Sequence, residues 1–479
     1  MSPYLLFEGL SIWLACFCIT LPVLASHGQE MEPTQHWAYV DVRDKAHMFY
    51  WLYESPKSGS DVPLVMWLQG GPGGSSTGFG NFEEIGPLDV DLKSRNTTWL
   101  SVTSLLFVDN PVGTGFSFVD TPDALTTDVD MIAGDMLVLL KSFFMESKWG
   151  IKYQKSPFYI FCESYGGKMT AAISNVLYQA IQSKELQCNF KGLALGDSWI
   201  SPIDSMLNWG TYLHTNSIVD KQGMSLINAS AYKALEYIQS DQWTKATDQF
   251  NICEGVVEEN SNGVNFYNIL KWGSEKSRDG SLVQRRYNGE GKKTSPSYGR
   301  TQNIESFTNR QIDSLDEWSY QKKAKDHSFI QVQWGGQSEE VFQYMKADFM
   351  RPVVDIVNRL IKETNLHVVV YTGQLDLICC TPGTEKWVET LDIYPEFFTS
   401  KRTAISDPVT GLTSGFVKTY KNFAMYWILG AGHMAPQDNG NTVLTMVKRV
   451  TASHVHNSPK IPNLASSILH WIKRLSPMI

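Results

Sequence analysis

Cysteine is scarce in this chain, with seven in 479 residues, and two of those, Cys16 and Cys18, sit in an apolar stretch at the N-terminus. The others, Cys162, Cys188, Cys253, Cys379 and Cys380, form an odd and sparse set. That excludes a disulfide scaffold, admits at most two bridges and leaves one thiol over. Positive charge is also short. Lys and Arg total 41 against 49 Asp and Glu, giving a formal net charge of −8 with no basic cluster to offset it. Such a balance argues against a nucleic-acid partner or an anionic membrane surface. Metal signatures are missing too: no His-Glu-x-x-His and no paired Cys-x-x-Cys occur, so no metal is expected. A glycine-rich stretch begins at Gln69, but no Gly-Lys-Ser/Thr follows it, which removes the nucleotide-binding reading. No organic cofactor is expected either.

Long apolar runs are limited to residues 5–24, which end in Val23-Leu24-Ala25-Ser26. The small residues at that end read as a cleavage site, so residues 1–25 are expected to be a secretory signal peptide. The segment before the run carries Glu8 and no Lys or Arg, which leaves a signal anchor as the alternative. Two sequons, Asn96-Thr97-Thr98 and Asn228-Ala229-Ser230, agree with passage through the secretory pathway and make Asn96 and Asn228 candidate glycosylation sites. A secreted or lysosomal protein with no membrane span after signal removal is the expectation.

What the chain does contain is enough apolar residue for a large core: hydrophobic content is 43% and charged content 19%, ordinary for a globular protein. Buried-strand runs alternate with apolar-periodic helices. Tyr39-Val40-Asp41-Val42-Arg43 and Met48-Phe49-Tyr50-Trp51-Leu52-Tyr53 predict a β-hairpin. Pro63-Leu64-Val65-Met66-Trp67-Leu68, Ser104-Leu105-Leu106-Phe107-Val108, the run from Pro157 to Phe161, residues 191–197, residues 367–373 and residues 423–429 read as strands of a mostly parallel sheet. Helices are expected over residues 127–144, from Lys168 onward, over 351–362 and over 441–450. Between Ile203 and Glu340 the chain turns polar and helix-leaning, with a Lys/Arg/Gly/Ser-rich segment at 276–300 that predicts a loop. The organisation expected is therefore an α/β fold with helices on both faces of the sheet. Its core spans 26–202 and 346–450, a cap subdomain is inserted at 203–345, and a tail runs over 451–479.

Open parallel sheets place ligands beyond the carboxyl ends of their strands, and chemically suggestive residues fall at four such ends here. Ser164 follows the strand that ends near Phe161 and precedes a helix, in Cys162-Glu163-Ser164-Tyr165-Gly166-Gly167. A serine on a tight strand-to-helix turn between small residues has the form of a nucleophile elbow, where the new helix N-terminus aims unpaired N–H groups at the hydroxyl. Asp376 lies just past the strand ending at Gly373, and His433 follows its strand through Gly430-Ala431-Gly432. Singly, each of these reads as a loop residue. Together they fall in the chain order Ser, Asp, His of α/β-hydrolase triads. In that arrangement Ser164 attacks a carbonyl, His433 takes its proton and returns it to the leaving group, and Asp376 holds the imidazole. An oxyanion needs two N–H donors, and the backbone of Gly71 and Tyr165 fits those positions.

Further blocks surround these residues: Trp67-Leu68-Gln69-Gly70-Gly71-Pro72-Gly73-Gly74-Ser75-Ser76, Glu84-Ile85-Gly86-Pro87, Asp109-Asn110-Pro111-Val112-Gly113-Thr114-Gly115-Phe116-Ser117 and Gly432-His433-Met434-Ala435-Pro436. In sequence and order they resemble the serine carboxypeptidases over roughly residues 37–450. The resemblance implies an α/β-hydrolase fold and release of single residues from peptide C-termini. It also implies that Gln69, Gly70, Glu84 and Glu163 hold the substrate's terminal carboxylate. A carboxylate cannot sit between two ionised Glu side chains, so at least one must be protonated, and binding is expected to favour acidic pH. Three departures stand out from the family pattern: Gln69 in place of Asn, Cys162 in place of Gly, and Gly74 where many members have Cys. The family's disulfide pattern therefore does not carry over. Two other activities remain open at this level, acyl transfer to an alcohol and a non-catalytic binding role on the same fold.

Overall fold

The computed structural model describes residues 33–57, 59, 61–271 and 335–452. The expected signal peptide, the loop at 276–300 and most of the tail lie outside the described residues. Strands β1 (Gln35–Arg43) and β2 (Ala46–Tyr53) form the expected hairpin. They lead into β3 (Leu64–Leu68), β4 (Ser104–Val108), the short β5 (Phe118–Val119), β6 (Pro157–Ser164) and β7 (Asn189–Ser198). The second half of the sheet comprises β8 (His367–Gly373), β9 (Arg402–Ser406), β10 (Thr413–Tyr420) and β11 (Phe423–Ile428). Along the sheet the order is β1-β2-β4-β3-β6-β7-β8-β11-β10-β9, with β5 pairing β2. Pairs from β4 through β11 are parallel, and the edges β1–β2–β4 and β11–β10–β9 are antiparallel.

The central strands are apolar on both sides because both faces are covered. On β2 and β3, Tyr50, Leu52, Leu64, Met66 and Leu68 join one buried cluster, while Trp51, Tyr53, Val65 and Trp67 join another. Alternate residues of one strand thus enter opposite layers, as the twofold repeat of a strand requires. The first layer is completed by α1 (Val129–Met145), whose Asp128 caps the N-terminus by accepting the Met131 N–H at 2.8 Å, and by α2 (Gly166–Gln182). Helices α3 (Pro202–Thr215), α4 (Lys221–Gln239) and α5 (Trp243–Ser261) follow β7. Next in order come the short α6 (Glu339–Tyr344) and α7 (Lys346–Phe349), then α8 (Val354–Glu363). The chain closes with α9 (Thr381–Glu389), α10 (Tyr394–Thr399), α11 (Ala435–Asp438) and α12 (Gly440–Ala452). Sequence reading did not anticipate β9 and β10: much of that hairpin is exposed, with Arg402, Thr403 and Ala404 open to solvent.

Candidate active site

Ser164 closes β6 with φ +59°, a left-handed conformation that a serine adopts only when its surroundings impose it. Crowding on both sides imposes it here. A Cβ on Gly166 would lie 2.5 Å from the Leu68 carbonyl, and one on Gly167 would lie 2.3 Å from Ser198 Cβ, so β6 can pass into α2 this sharply only on glycine. Cys162 does not obstruct the turn: its thiol points at β7, donating to the Ala194 carbonyl at 3.4 Å. Burial pushes that thiol up to about 11, which makes it a packing group and not a nucleophile. All five cysteines of the described residues are free thiols.

Helix α2 has Tyr165 as its N-cap residue, with no side-chain hydrogen bond there, leaving its first N–H groups open toward the turn. The glycine loop lies against the same turn: a Cβ on Gly70 would meet Ser164 Cβ at 2.5 Å and the Tyr165 N at 2.9 Å. Gly71, at φ +113°, turns the loop away again. Among the described residues no hydrogen bond takes the backbone N–H of Gly71 or Tyr165.

His433 and Asp376 come together from the far side of the sheet centre. Both are buried, and His433 Nδ1 and Asp376 Oδ2 are 2.9 Å apart. Asp376 Oδ1 also accepts the Cys379 N–H at 3.2 Å. A stretch that sequence reading passed over holds both loops: the Tyr267 carbonyl accepts the His433 N–H at 2.7 Å, and the Phe266 carbonyl accepts from Leu377 and Ile378 at 3.1 and 3.0 Å. The Tyr267 ring packs on the imidazole with centroids 5.2 Å apart. Burial lowers the His433 pKa from its ordinary value, which favours the neutral ring. With Nδ1 turned to Asp376, Nε2 points back across the site, 3.9 Å from Glu163 Oε1. Ser164 and His433 share no hydrogen bond here. Cys379 Sγ lies with Asp376 and His433 inside 4.8 Å, a set of metal-ligand types. The thiol is raised well above its usual value by burial, and His433 Nδ1 is already engaged, so the corner is built for hydrogen bonding.

Beside the serine sits a buried polar cluster. The Trp67 indole N–H donates to Gln69 Oε1 at 2.8 Å. Because an indole can only donate, this bond fixes the amide with its nitrogen outward. That nitrogen donates to Glu163 Oε1 at 2.9 Å and to Glu84 Oε1 at 3.1 Å, joining the two carboxyls through one side chain. Glu84 arrives on the widely wound turn Ser76–Ile85 and is 1% exposed; Glu163 is 3% exposed. Neither Oε2 has a hydrogen-bond partner among the described residues. Burial pushes Glu84 up to about 7 and raises Glu163 well above its usual range, with the charge of Glu84 adding to the effect on Glu163. Below neutrality these two carboxyls therefore hold protons that exposed glutamates would have lost.

This arrangement sits within a chain whose residues 26–453 match the serine carboxypeptidase family model. The chain belongs to the serine carboxypeptidase family. A mouse retinoid-inducible serine carboxypeptidase is 48% identical over 452 residues, covering 92% of this chain and 97% of the mouse protein. Serine carboxypeptidase-like 51 of Arabidopsis thaliana is 38% identical, covering 88% and 92%. The solved structure of Kex1(delta)p, a prohormone-processing carboxypeptidase from Saccharomyces cerevisiae, superposes with a TM-score of 0.68 over 88% of this chain and 91% of that one, at 19% identity. This chain is thus a serine-type carboxypeptidase with the α/β-hydrolase fold. Among its described residues no helix is long and apolar enough to cross a membrane. Of the sequons, Asn96 is exposed; Asn228 lies half-buried in α4, its Oδ1 2.3 Å from where a Cβ on Gly210 would be. Side chains at the site that sequence reading did not single out include Trp67, which donates to Gln69, and Asp197, which is buried beside Asp376.

Proposed function

We propose that this serine carboxypeptidase releases the C-terminal residue of peptides through an acyl-enzyme on Ser164, with binding favoured below neutral pH. Substrate enters with its terminal carboxylate between Glu84 and Glu163, beside Gln69 and the Gly70 backbone. Glu84 and Glu163, whose carboxyls meet each other and whose Oε2 atoms have no further partner among the described residues, carry the protons that donate to it. Ser164 then attacks the last peptide carbonyl. His433 takes the serine proton and passes it to the departing amino group, while Asp376 stabilises the imidazolium between those steps. Negative charge on the carbonyl oxygen is met by the N–H groups of Gly71 and Tyr165, worth about 3 kcal/mol per donor in comparable sites. Water attacks the acyl-enzyme by the same route in reverse.

The observation that carries this reading is the Gln69 amide bonded to two buried carboxyls immediately beside Ser164. A site for general ester or amide cleavage has no use for two protonated acids there. An acid-favoured site also suits a secreted or lysosomal enzyme, and Asn96 is the sequon free to carry a glycan. The test compares a peptide with its C-terminally amidated form from pH 4.5 to 8. Cleavage of the free-acid peptide alone is expected, with KM rising as pH passes about 7, where Glu84 ionises, and with all activity lost in Ser164→Ala. Equal cleavage of both peptides, or kcat/KM that climbs steadily from pH 5 to 8, would overturn it.

A further inference from the structure

Asp197 belongs to no role assigned above, and its position is unusual. Across β6 and β7 the register runs Glu163 opposite Gly196 and then Ser164 opposite Ser198, which makes Asp197 the extra residue of a β-bulge. Its φ of +39° is left-handed. Bulges of this kind redirect one side chain, and they recur beside active sites. Here the bulge sends the carboxyl along the edge of the sheet to β8, where Oδ1 accepts the Gly373 N–H at 2.6 Å. The side chain is 1% exposed, and it meets the carboxyl of Asp376.

Two buried carboxyls in contact cannot both be ionised, so the pair holds a proton. The donors around them indicate where it resides. Asp376 receives hydrogen bonds from the His433 ring and the Cys379 N–H; Asp197 receives one, from Gly373, and its Oδ2 has no donor among the described residues. The better-supplied oxygens carry the charge, and the unsupplied one carries the hydrogen. The remaining titratable groups around Asp197 are Glu163 at the end of β6, Tyr371 on β8, Cys379 beyond it, Tyr212 on α3 and His433. The imidazole apart, none of them can supply a positive charge to hold a second anion.

We propose that Asp197 is a positioning residue of the triad, a neutral carboxylic acid that donates to Asp376 and holds it in line with His433. Burial and the neighbouring Asp376 charge both raise its pKa well above the usual carboxyl range, in agreement with that geometry. The device separates two needs. Asp376 gains a third donor that fixes its orientation, and the site gains no second charge that would tighten the imidazole's hold on a proton. The inference rests on Ser164 and His433 acting as proposed above.

Labelling of Ser164 by a fluorophosphonate from pH 4 to 8 tests it without the carboxylate-binding cluster, alongside thermal unfolding of each variant. Asp197→Asn keeps a neutral donor and an acceptor for Gly373. It is expected to label within about threefold of wild type, with the acid limb that reports His433 unmoved. Asp197→Ala removes the donor and is expected to label roughly 10- to 100-fold more slowly while still folded. An acid limb displaced to lower pH in Asp197→Asn would overturn the proposal, because it would mean that Asp197 carries charge in the wild type. Full-rate labelling of a folded Asp197→Ala would overturn it equally. Failure of wild-type protein to label at any pH strikes instead at the assignment of Ser164, so the two readings fail separately.

Discussion

Single atoms decide whether this site can form. Gly70 is the clearest case, because the glycine loop touches the elbow at its α-carbon. An alanine there would put a methyl carbon 2.5 Å from Ser164 Cβ and 2.9 Å from both the Glu163 carbonyl and the Tyr165 N. Backbone cannot yield as a flexible side chain would, so the loop must retreat, taking Gly71 and Gln69 with it. A displacement near 1 Å at reacting groups lowers rate by about 100-fold. Gly70→Ala is therefore expected to lose kcat/KM by about that factor in peptide hydrolysis assays. Gly134→Ala is the control: it lies exposed on α1 with nothing within 4 Å of the added carbon. That variant should keep full activity and gain up to about 1 kcal/mol from helix propensity. Loss of activity in both, or in neither, would show that the contact with Ser164 is not what matters.

At the scale of elements, α2 must stay where its N-terminus meets Ser164, and a buried ion pair ties it there. Lys168, fully buried one turn into α2, donates to Asp348 Oδ2 at 2.7 Å and to the Asp348 carbonyl at 2.5 Å; Tyr165 Oη donates to the same carboxylate at 2.5 Å. The pair thus joins the elbow helix to α7. Removing one partner of a buried pair leaves the other charge unpaired, at about 3–5 kcal/mol. Lys168→Met should lose that much in chemical denaturation, and a loss below about 1 kcal/mol would place the tie elsewhere. None of this was legible in the sequence, since Lys168 and Asp348 are far apart in the chain and each reads as a surface residue. Elements read best where burial was complete: the apolar runs of β3, β4, β6 and β8 admit no other interpretation. The β9–β10 hairpin was missed for the opposite reason, because its exposed side chains leave no apolar run. For the site, the order Ser164, Asp376, His433 and the neighbouring motifs were readable. Asp197 was not, because its meaning comes from β7 lying beside β8 and from a bulge that no residue type announces.

Taken whole, the molecule buries several carboxyls that resist ionisation, and this sets how its stability responds to pH. Burial pushes Glu84 from 4.5 to about 7 and raises Glu163, Asp197 and Asp109 in the same direction. Between those limits the folded chain keeps protons that the unfolded chain has released. Stability therefore falls as pH rises: the contribution of Glu84 is complete below about 4.5 and is lost through about 7. Groups whose pKa folding lowers act the other way: carboxylates such as Glu54 and Asp392 do so below this window, and two fully buried bases, His433 and Lys168, do so within or above it. His433 is lowered by burial, and its neutrality weakens the fold as pH falls below the imidazole's usual value of 6.5. Lys168 is lowered from 10.5 to about 8, and its effect lies above that window. One histidine against several carboxyls leaves the acids in control from pH 5 to 7.5. The midpoint of thermal unfolding should drop by a few degrees between those values, on the order of 1 °C for each kcal/mol lost in a chain this long. Glu84→Gln cannot ionise, so it should flatten the slope while leaving the acid-side midpoint nearly unchanged. A midpoint that rises from pH 5 to 7.5, or a slope unaltered in Glu84→Gln, would mean that these carboxyls are charged in the folded state. In that case the same pocket could not receive a peptide's terminal carboxylate, so a calorimetric measurement on the free protein bears directly on how it binds substrate.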